Sequence, residues 1–264
     1  MSDYTREICN WWGTDMVSKY PNNNKLFIED ECNNIDDNTR VSDNNMKIFH
    51  TRIAKILHLS KKTRPDILLM TSHLCSRVNI TTIKDMKDLN KLFQYLYGII
   101  NKGIIYHHGG DVNPVIFADA SYHVHSGSLS RTGILVYMCG GVIISSSVKQ
   151  KIICKSSTEA ELVACCDTAT TCSIVRQLLK SQGYNLPPSK IVQDNQSTIC
   201  LIKNSKPTSK STSHINTRYF YTHHLITSGD CELLWCNTEN MISDFLTKPI
   251  HGERYNYLIE AKDL

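Results

Sequence analysis

Apolar and polar residues follow one rhythm up to Gly109-Gly110-Asp111 and another beyond it. From Met46 to Leu59, the apolar residues Ile48, Ile53, Ile56 and Leu57 recur at helical spacing. Thr63-Arg-Pro-Asp66 interrupts the pattern, because a proline disfavours helix at the residue before it. Ile67–Arg77 and Met86–Asn101 predict two further helices, the second carrying Leu89, Leu92, Phe93, Leu96 and Ile100 on one face. Ahead of these helices, residues 21–45 are rich in Asn and Asp and hold few anchors for a core, which predicts a loop or disordered linker.

Past the glycine pair the period shortens. Val115–Ser121 and Ile134–Cys139 are β-rich, and Val142–Ser145 with Lys151–Cys154 predicts a further short strand pair. Ser156–Gly183 reads as one long helix, capped by Ser156, Ser157 or Thr158 and ended by Gly183. Lys190–Asp194 predicts a strand, followed by a helix through Ile202. Ser213–Ser228 predicts a helix, Cys231–Cys236 a strand, and Asn240–Thr247 a final short helix closed by Pro249. This order of strands and helices is that of an α/β fold with one mixed sheet. It divides the chain into a polar, partly disordered N-terminal segment (1–45), a helical unit (46–110), an α/β domain (111–252) and a C-terminal tail (253–264).

Composition narrows the class only a little. Hydrophobic residues make up 41% of the 264, so a core forms without disulfide or metal support. The net charge of +4 is compatible with a polyanionic partner without requiring one. Eleven cysteines occur with no C-x-x-C pair, the N-terminus has no apolar signal-like run, and no stretch approaches a membrane span. The expectation is a reduced intracellular protein without membrane association, located in the cytoplasm, a virus-like particle or the nucleus.

Candidate chemistry lies in four carboxylates. Asp119 falls within the strand Ile116-Phe-Ala-Asp119, where an uncompensated buried carboxylate is costly. Asp194 ends a second apolar strand, and adjacent strand ends are where sites gather in open α/β sheets. Glu161 lies in the first turns of the long helix on the small-residue face of Ala164, Cys165 and Thr168, whereas Glu159 points about 200° away around the helix. The inward role therefore goes to Glu161 and a solvated role to Glu159. Asp244 opens the last predicted helix, where the helix dipole favours a carboxylate. Clustered like charges repel, and divalent cations are their natural neutraliser. Oxygen ligands from four elements can hold two Mg²⁺ roughly 4 Å apart, an arrangement suited to phosphodiester chemistry. His123 and His125 follow Asp119 closely, but hard oxygen ligands are already present, so both read as surface residues at a strand end.

Five motifs then make the chain specific: Phe-Ala-Asp-Ala-Ser-Tyr, Lys-Ser-Ser-Thr-Glu-Ala-Glu-Leu-Val, Gln-Asp-Asn-Gln-Ser, His-Ile-Asn-Thr-Arg-Tyr-Phe and Ser-Asp-Phe-Leu-Thr-Lys-Pro-Ile. In this order and spacing, residues 112–252 resemble the ribonuclease H region of Ty1/copia-type retrotransposon polyproteins. Ala54-Lys-Ile-Leu-His-Leu-Ser-Lys-Lys-Thr-Arg-Pro-Asp-Ile-Leu and Leu92-Phe-Gln-Tyr-Leu-Tyr-Gly resemble the segment that joins reverse transcriptase to ribonuclease H in that family. The resemblance implies an RNase H-like fold, a five-stranded mixed sheet with helices on both faces. It also implies endonucleolytic cleavage of RNA paired to DNA with Mg²⁺ or Mn²⁺, two ions held by Asp119, Glu161, Asp194 and Asp244. Other parts of such a polyprotein are further possible partners.

Ser121, Asn195 and Ser197 flank these carboxylates and are candidates to touch the hybrid's 2′-hydroxyls or phosphates, or to serve as polar strand ends and caps. Lys203, Lys210 and Arg218, with Lys149, Lys151, Lys155 and Lys206, are candidates for a phosphate-tracking surface. Ser213 stands where the family usually carries a basic residue before His-Ile. The sequence contains no Tyr-x-Asp-Asp polymerase motif, so DNA synthesis is not expected of it. Two other readings stay open: a catalytically silent nucleic-acid-binding remnant, and a nuclease of the same fold acting on DNA.

Overall fold

The computed structural model describes residues 1–13, 15–24, 26–27, 40–125, 127–204 and 213–260, and of residues 213–219 and 260 the backbone alone. Two compact units form, one from residues 1–105 together with 248–264, the other from residues 106–247. These limits differ from the boundaries read in the sequence. Residues 106–110 join the second unit because Tyr106 Oη donates to the Val142 carbonyl and the His107 amide donates to the Cys139 carbonyl. After Thr247 the chain returns to the first unit, where the Gly252 amide donates to Tyr20 Oη.

The first unit is helical. Helix α1 (Ser2–Trp12) buries Thr5, Ile8 and Cys9 on one face and stops at Gly13, whose φ of 76° is the left-handed conformation glycine adopts without strain. The sequence reading assigns this stretch to a polar segment, because three buried positions in one short helix are too brief a pattern to register. Helix α2 (Asp43–Lys62) buries Phe49, Ile53, Ile56 and Leu59. A 3-10 turn at Pro65–Ile67 leads into α3 (Leu68–Cys75), and α4 (Ile83–Gly98) begins at a capping box between Thr82 and Asp85, three residues ahead of the expected start. A last helix, α8 (Gly252–Glu260), occupies the expected tail and buries Tyr255, Leu258 and Ile259. Within this unit Arg64 and Asp66 are fully buried and paired at 2.8 Å, Tyr95 donates to Asp66, and Tyr95 and Tyr255 share a hydrogen bond of 2.7 Å. Burial, the largest single influence, works against the Asp66 charge, but the Arg64 charge and the hydrogen bonds from Arg64 and Tyr95 together hold the carboxyl below its ordinary range.

The second unit carries one five-stranded sheet. Its strands are β1 (Val115–His125), β2 (Leu129–Met138), β3 (Gly141–Lys149), β4 (Ser189–Gln193) and β5 (Cys231–Trp235), in the order β3-β2-β1-β4-β5. β1 to β3 form an antiparallel meander, and β4 runs parallel to both β1 and β5. This is the mixed sheet that the RNase H-like resemblance implied. Three helices supply one face: α5 (Ser157–Ser181), α6 (Gln196–Lys203) and α7 (Ser213–Thr227). Leu162, Cys165, Ala169 and Cys172 of α5 pack with Ile199, Ile202 and Leu225 against Ile116, Ala118, Ile134, Val136, Ile191 and Leu233 of the strands.

The opposite face is covered by a 3-10 segment, Ile242–Leu246, within the stretch where a final short helix is expected. It lies so close over β2 that a Cβ on Gly133 would meet Thr247 Cγ2 at 2.7 Å and Leu246 Cβ at 3.0 Å. One further expectation is corrected. β3 continues unbroken through Ser145–Ser147, and residues 151–154 form no strand. The serines looked like a strand end, but Ser145 and Ser147 face inward with their backbone paired to β2. Ile152 and Cys154 instead pack on Ala160, Val163 and Ala164. All the described cysteines are free thiols, and no described helix is long and apolar enough to cross a membrane.

Candidate active site

The site forms where two parallel strands part. β1 and β4 are paired only at Val115–Lys190, Ile116–Ile191 and Phe117–Val192. Asp119 lies two residues past the last pair on β1, and Asp194 lies two residues past it at the end of β4. Because neighbouring positions on a strand face opposite sides, Ala118 enters the helix-covered core while Asp119, across from Gly133 on β2, faces the 3-10 segment. The third carboxylate comes from α5. Ser156 caps this helix by accepting from the Glu159 amide at 3.2 Å, and Glu161 follows in a stretch with Ala160, Ala164 and Cys165, all fully buried. Small side chains let the helix approach the sheet closely enough for Glu161 to reach the cleft.

Asp119, Glu161 and Asp194 each offer a carboxylate oxygen, and these oxygens lie within 4.8 Å of one another. Asp119 and Glu161 are buried and Asp194 is half-buried, so the cluster is open on the Asp194 side. Three hard oxygen donors at this separation form a cluster able to coordinate a divalent cation. Glu159 takes no part: its carboxylate accepts from the Lys155 amide and closes the start of α5. The helix geometry that favoured Glu161 over Glu159 is the geometry found.

Asp244 is not among these three. It is buried at 2% exposure in the 3-10 segment, and its backbone carbonyl is 3.1 Å from Thr247 Oγ1, which also donates to the Asp119 carboxylate. The Cys236 thiol reports on the same neighbourhood. Burial, followed by the nearby charges of Asp194, Asp244 and Asp119, pushes it up to about 11.

Several residues not singled out in the sequence fix this arrangement. Gln193, completely buried, donates from Nε2 to Glu161 Oε2 at 3.1 Å and to Cys165 Sγ at 3.3 Å. Its Oε1 accepts from the amides of Asp194 (2.8 Å) and Asn195 (3.1 Å). Thr238 Oγ1 donates to Asp194 Oδ2 at 2.8 Å, and Trp235 Nε1 donates to the Asp194 carbonyl at 3.0 Å. Thr247 had a visible signal, three residues after Asp244 in a turn. Gln193 had only its place beside Asp194. Burial, led by desolvation, pushes the Cys165 thiol up to about 12, so it stays protonated and adds no charge to the site.

The candidate nucleic-acid residues divide. Ser121 is buried and its hydroxyl donates to the Thr247 carbonyl at 2.7 Å, so it ties β1 to the segment over the opposite face and does not face solvent. Asn195 is the N-cap of α6, its Oδ1 accepting from the Thr198 amide at 3.0 Å. Ser197 and Lys203 are exposed on α6, as are Lys149, Lys151 and Lys155 around the end of β3. Lys206 and Lys210 lie outside the described residues, as does the side chain of Arg218 on α7. Of the two histidines, His123 stacks on Tyr122 and bonds to the Cys154 carbonyl at 3.0 Å. His125 is buried, which corrects the surface reading: Arg131 Nε donates to its Nε2 at 3.0 Å.

No family model matches the chain. It is 30% identical over 190 residues to the retrovirus-related Pol polyprotein from transposon RE1 of Arabidopsis thaliana, an alignment spanning 71% of this chain and 13% of that protein. It is 22% identical over 222 residues to the transposon Ty1-ER2 Gag-Pol polyprotein of Saccharomyces cerevisiae, spanning 82% of this chain and again 13% of the relative. The chain thus covers a small part of the length of these relatives. Among solved structures, the N-terminal RNase H domain of a Mycobacterium tuberculosis protein, fused to maltose binding protein, aligns over 57% of this chain and 99% of its own, with a TM-score of 0.39 and 11% identity. The chain is related to the Pol proteins of Ty1/copia-like retrotransposons and contains an RNase H-like domain.

Proposed function

We propose that the unit of residues 106–247 is a metal-dependent endonuclease that cleaves the RNA strand of RNA–DNA hybrids. The observation that carries this reading is the gathering of Asp119, Glu161 and Asp194 within 4.8 Å at the parting ends of β1 and β4. Asp119, Glu161 and Asp194 would hold Mg²⁺ or Mn²⁺, with Asp244 completing a two-ion set from the 3-10 segment. Such ions, when bound, activate water and stabilise the charge that develops on the phosphate and the departing oxygen. The chain's own groups prepare the ground. Thr247 fixes the Asp119 carboxylate from one side, and Thr238 fixes Asp194 from the other. The half-buried Asp194 marks the side from which a backbone phosphate enters. Ser197 and Lys203 on α6, with Asn195 at its cap, are the proposed contacts to the hybrid beside that opening. Lys210 and Arg218 are proposed to extend this surface.

The helical unit is, on the same reading, the stretch that joins reverse transcriptase to ribonuclease H in the relatives. The alignments support this, since 190 and 222 aligned residues are more than the second unit contains. The test is cleavage of a hybrid labelled on its RNA strand, beside duplex DNA and single-stranded RNA, with Mg²⁺, with Mn²⁺ and with EDTA. The expected result is hybrid-selective cutting that EDTA and Asp194→Asn both abolish. Hybrid binding without cutting in either metal would overturn the enzymatic reading in favour of a silent binding remnant, and cutting of duplex DNA alone would overturn the substrate.

A further inference from the structure

We infer that Gln193 is a positioning residue for the metal ligands, the side chain that sets Glu161 and the end of β4 in register with each other. This rests on the reading of Asp119, Glu161 and Asp194 as a metal centre. The argument begins with the orientation of the amide. The backbone N–H groups of Asp194 and Asn195 both point at one atom of the Gln193 side chain, at 2.8 and 3.1 Å, and only an oxygen accepts from them. Its NH₂ therefore faces the other way, toward Glu161 Oε2 and Cys165 Sγ. Both faces of the amide are used, and the side chain is completely buried, so water offers it no alternative partner.

The geometry joins two ligands through one rigid group. Asp194 follows the last residue of β4, where strand pairing has ended and side chains hold the backbone instead, the Trp235 indole at its carbonyl and Gln193 at its amide. The Gln193 oxygen gathers its amide and the next one, which fixes the direction in which Asp194 leaves the strand. The NH₂ of the same amide then fixes Glu161, 32 positions away on α5. A shift of either ligand strains the other's hydrogen bond. The donor is also neutral. A Lys or Arg in its place would orient Glu161 while cancelling its charge, and so would compete with the cation. An amide orients the carboxylate and leaves its charge for the metal.

The test measures Mn²⁺ binding to the full chain by isothermal titration calorimetry, together with thermal unfolding, for wild type, Gln193→Leu, Glu161→Gln and the double variant. Leucine keeps most of the buried volume and loses both hydrogen-bonding functions. The expected result is Mn²⁺ affinity about tenfold weaker in Gln193→Leu, the scale typical of groups that orient metal ligands. That loss should shrink when Glu161→Gln is already present, because one part of it passes through Glu161 and the other through Asp194. A merely structural glutamine would lower the unfolding midpoint and leave the affinity of the folded protein within twofold of wild type. That result, or an undiminished effect of Gln193→Leu beside Glu161→Gln, overturns the inference. Wild-type protein binding no more Mn²⁺ than Asp194→Asn would overturn the metal-centre reading as well. Where Gln193→Leu does not fold, the side-chain amide resonances of Gln193 in wild-type protein decide. They should broaden with Mn²⁺ and shift in Glu161→Gln, and resonances indifferent to both overturn the inference.

Discussion

His125 should make the second unit sensitive to mild acid, by an amount that follows from its surroundings. Its ring is buried at the end of β1, and Arg131 Nε donates to its Nε2 at 3.0 Å. Arg131 is itself buried, donates to Ser147 Oγ at 2.8 Å, and cannot lose its proton. His125 Nε2 must therefore present a lone pair, and protonation would set two cations against each other. Desolvation first, then Arg131 and Lys149, lower the histidine from an ordinary 6.5 to about 3. Between those values the unfolded chain takes up a proton that the folded chain refuses. Stability therefore falls as pH falls through this window, by about 1.4 kcal/mol per unit, and is unaffected above about pH 7. From pH 7 to pH 5 the loss is about 2 kcal/mol.

His125→Gln supplies the control, since its carbonyl accepts from Arg131 but does not titrate. Urea unfolding followed by Trp235 fluorescence, with Trp11 and Trp12 replaced by Phe in both proteins, reads the second unit selectively. The stability difference between the two proteins should shift by about 2 kcal/mol in favour of the variant between pH 7 and pH 5. All other titrating groups are common to both and cancel. A difference that stays flat over this range would refute the account of a histidine held neutral by burial and Arg131.

Three further outcomes follow from features of the fold. Gly133→Ala should destabilise the second unit by about 1–3 kcal/mol in urea unfolding, because the added methyl meets Thr247, Leu246 and Ser243 at 2.7–3.1 Å. It should also reduce hybrid cleavage, since the displaced Thr247 holds Asp119. Glu161→Gln should lower metal-dependent cleavage by roughly 100-fold or more, while Glu159→Gln, altering only the start of α5, should stay within about threefold in the same assay. Asp66→Ala should cost the helical unit about 3–5 kcal/mol in denaturant titration followed by circular dichroism, because it leaves the buried Arg64 charge without its carboxylate.

Long elements with a single period were legible in the sequence. The helix containing Glu161, the strand containing Asp119 and the strand leading into Asp194 appear within a few residues of where periodicity put them, and helix geometry alone separated Glu161 from Glu159. What sequence missed was set by partners distant in the chain. Ser145 and Ser147 look like a turn until β2 pairs with them. α8 is short, and its three buried residues acquire meaning only against the first unit. At the site, carboxylates announce themselves by chemistry, but the groups that orient them do not. Gln193 and Thr247 are ordinary polar residues whose roles exist only after Glu161 and Asp119 have been brought beside them.

The division of the chain also carries a consequence for how it is made. The first unit takes residues 1–105 and 248–264 with the whole second unit threaded between them, and the Tyr95–Tyr255 hydrogen bond closes a span of 160 positions. A ribosome delivers α1 to α4 long before α8. Until Tyr255, Leu258 and Ile259 emerge, the apolar surface they cover stays wet and Tyr95 lacks its phenol partner. The sheet-bearing unit has all its residues in one unbroken stretch and can close first. Synthesis thus imposes an order on maturation, in which α8, made after the sheet-bearing unit, completes a helical unit whose other helices were made before it.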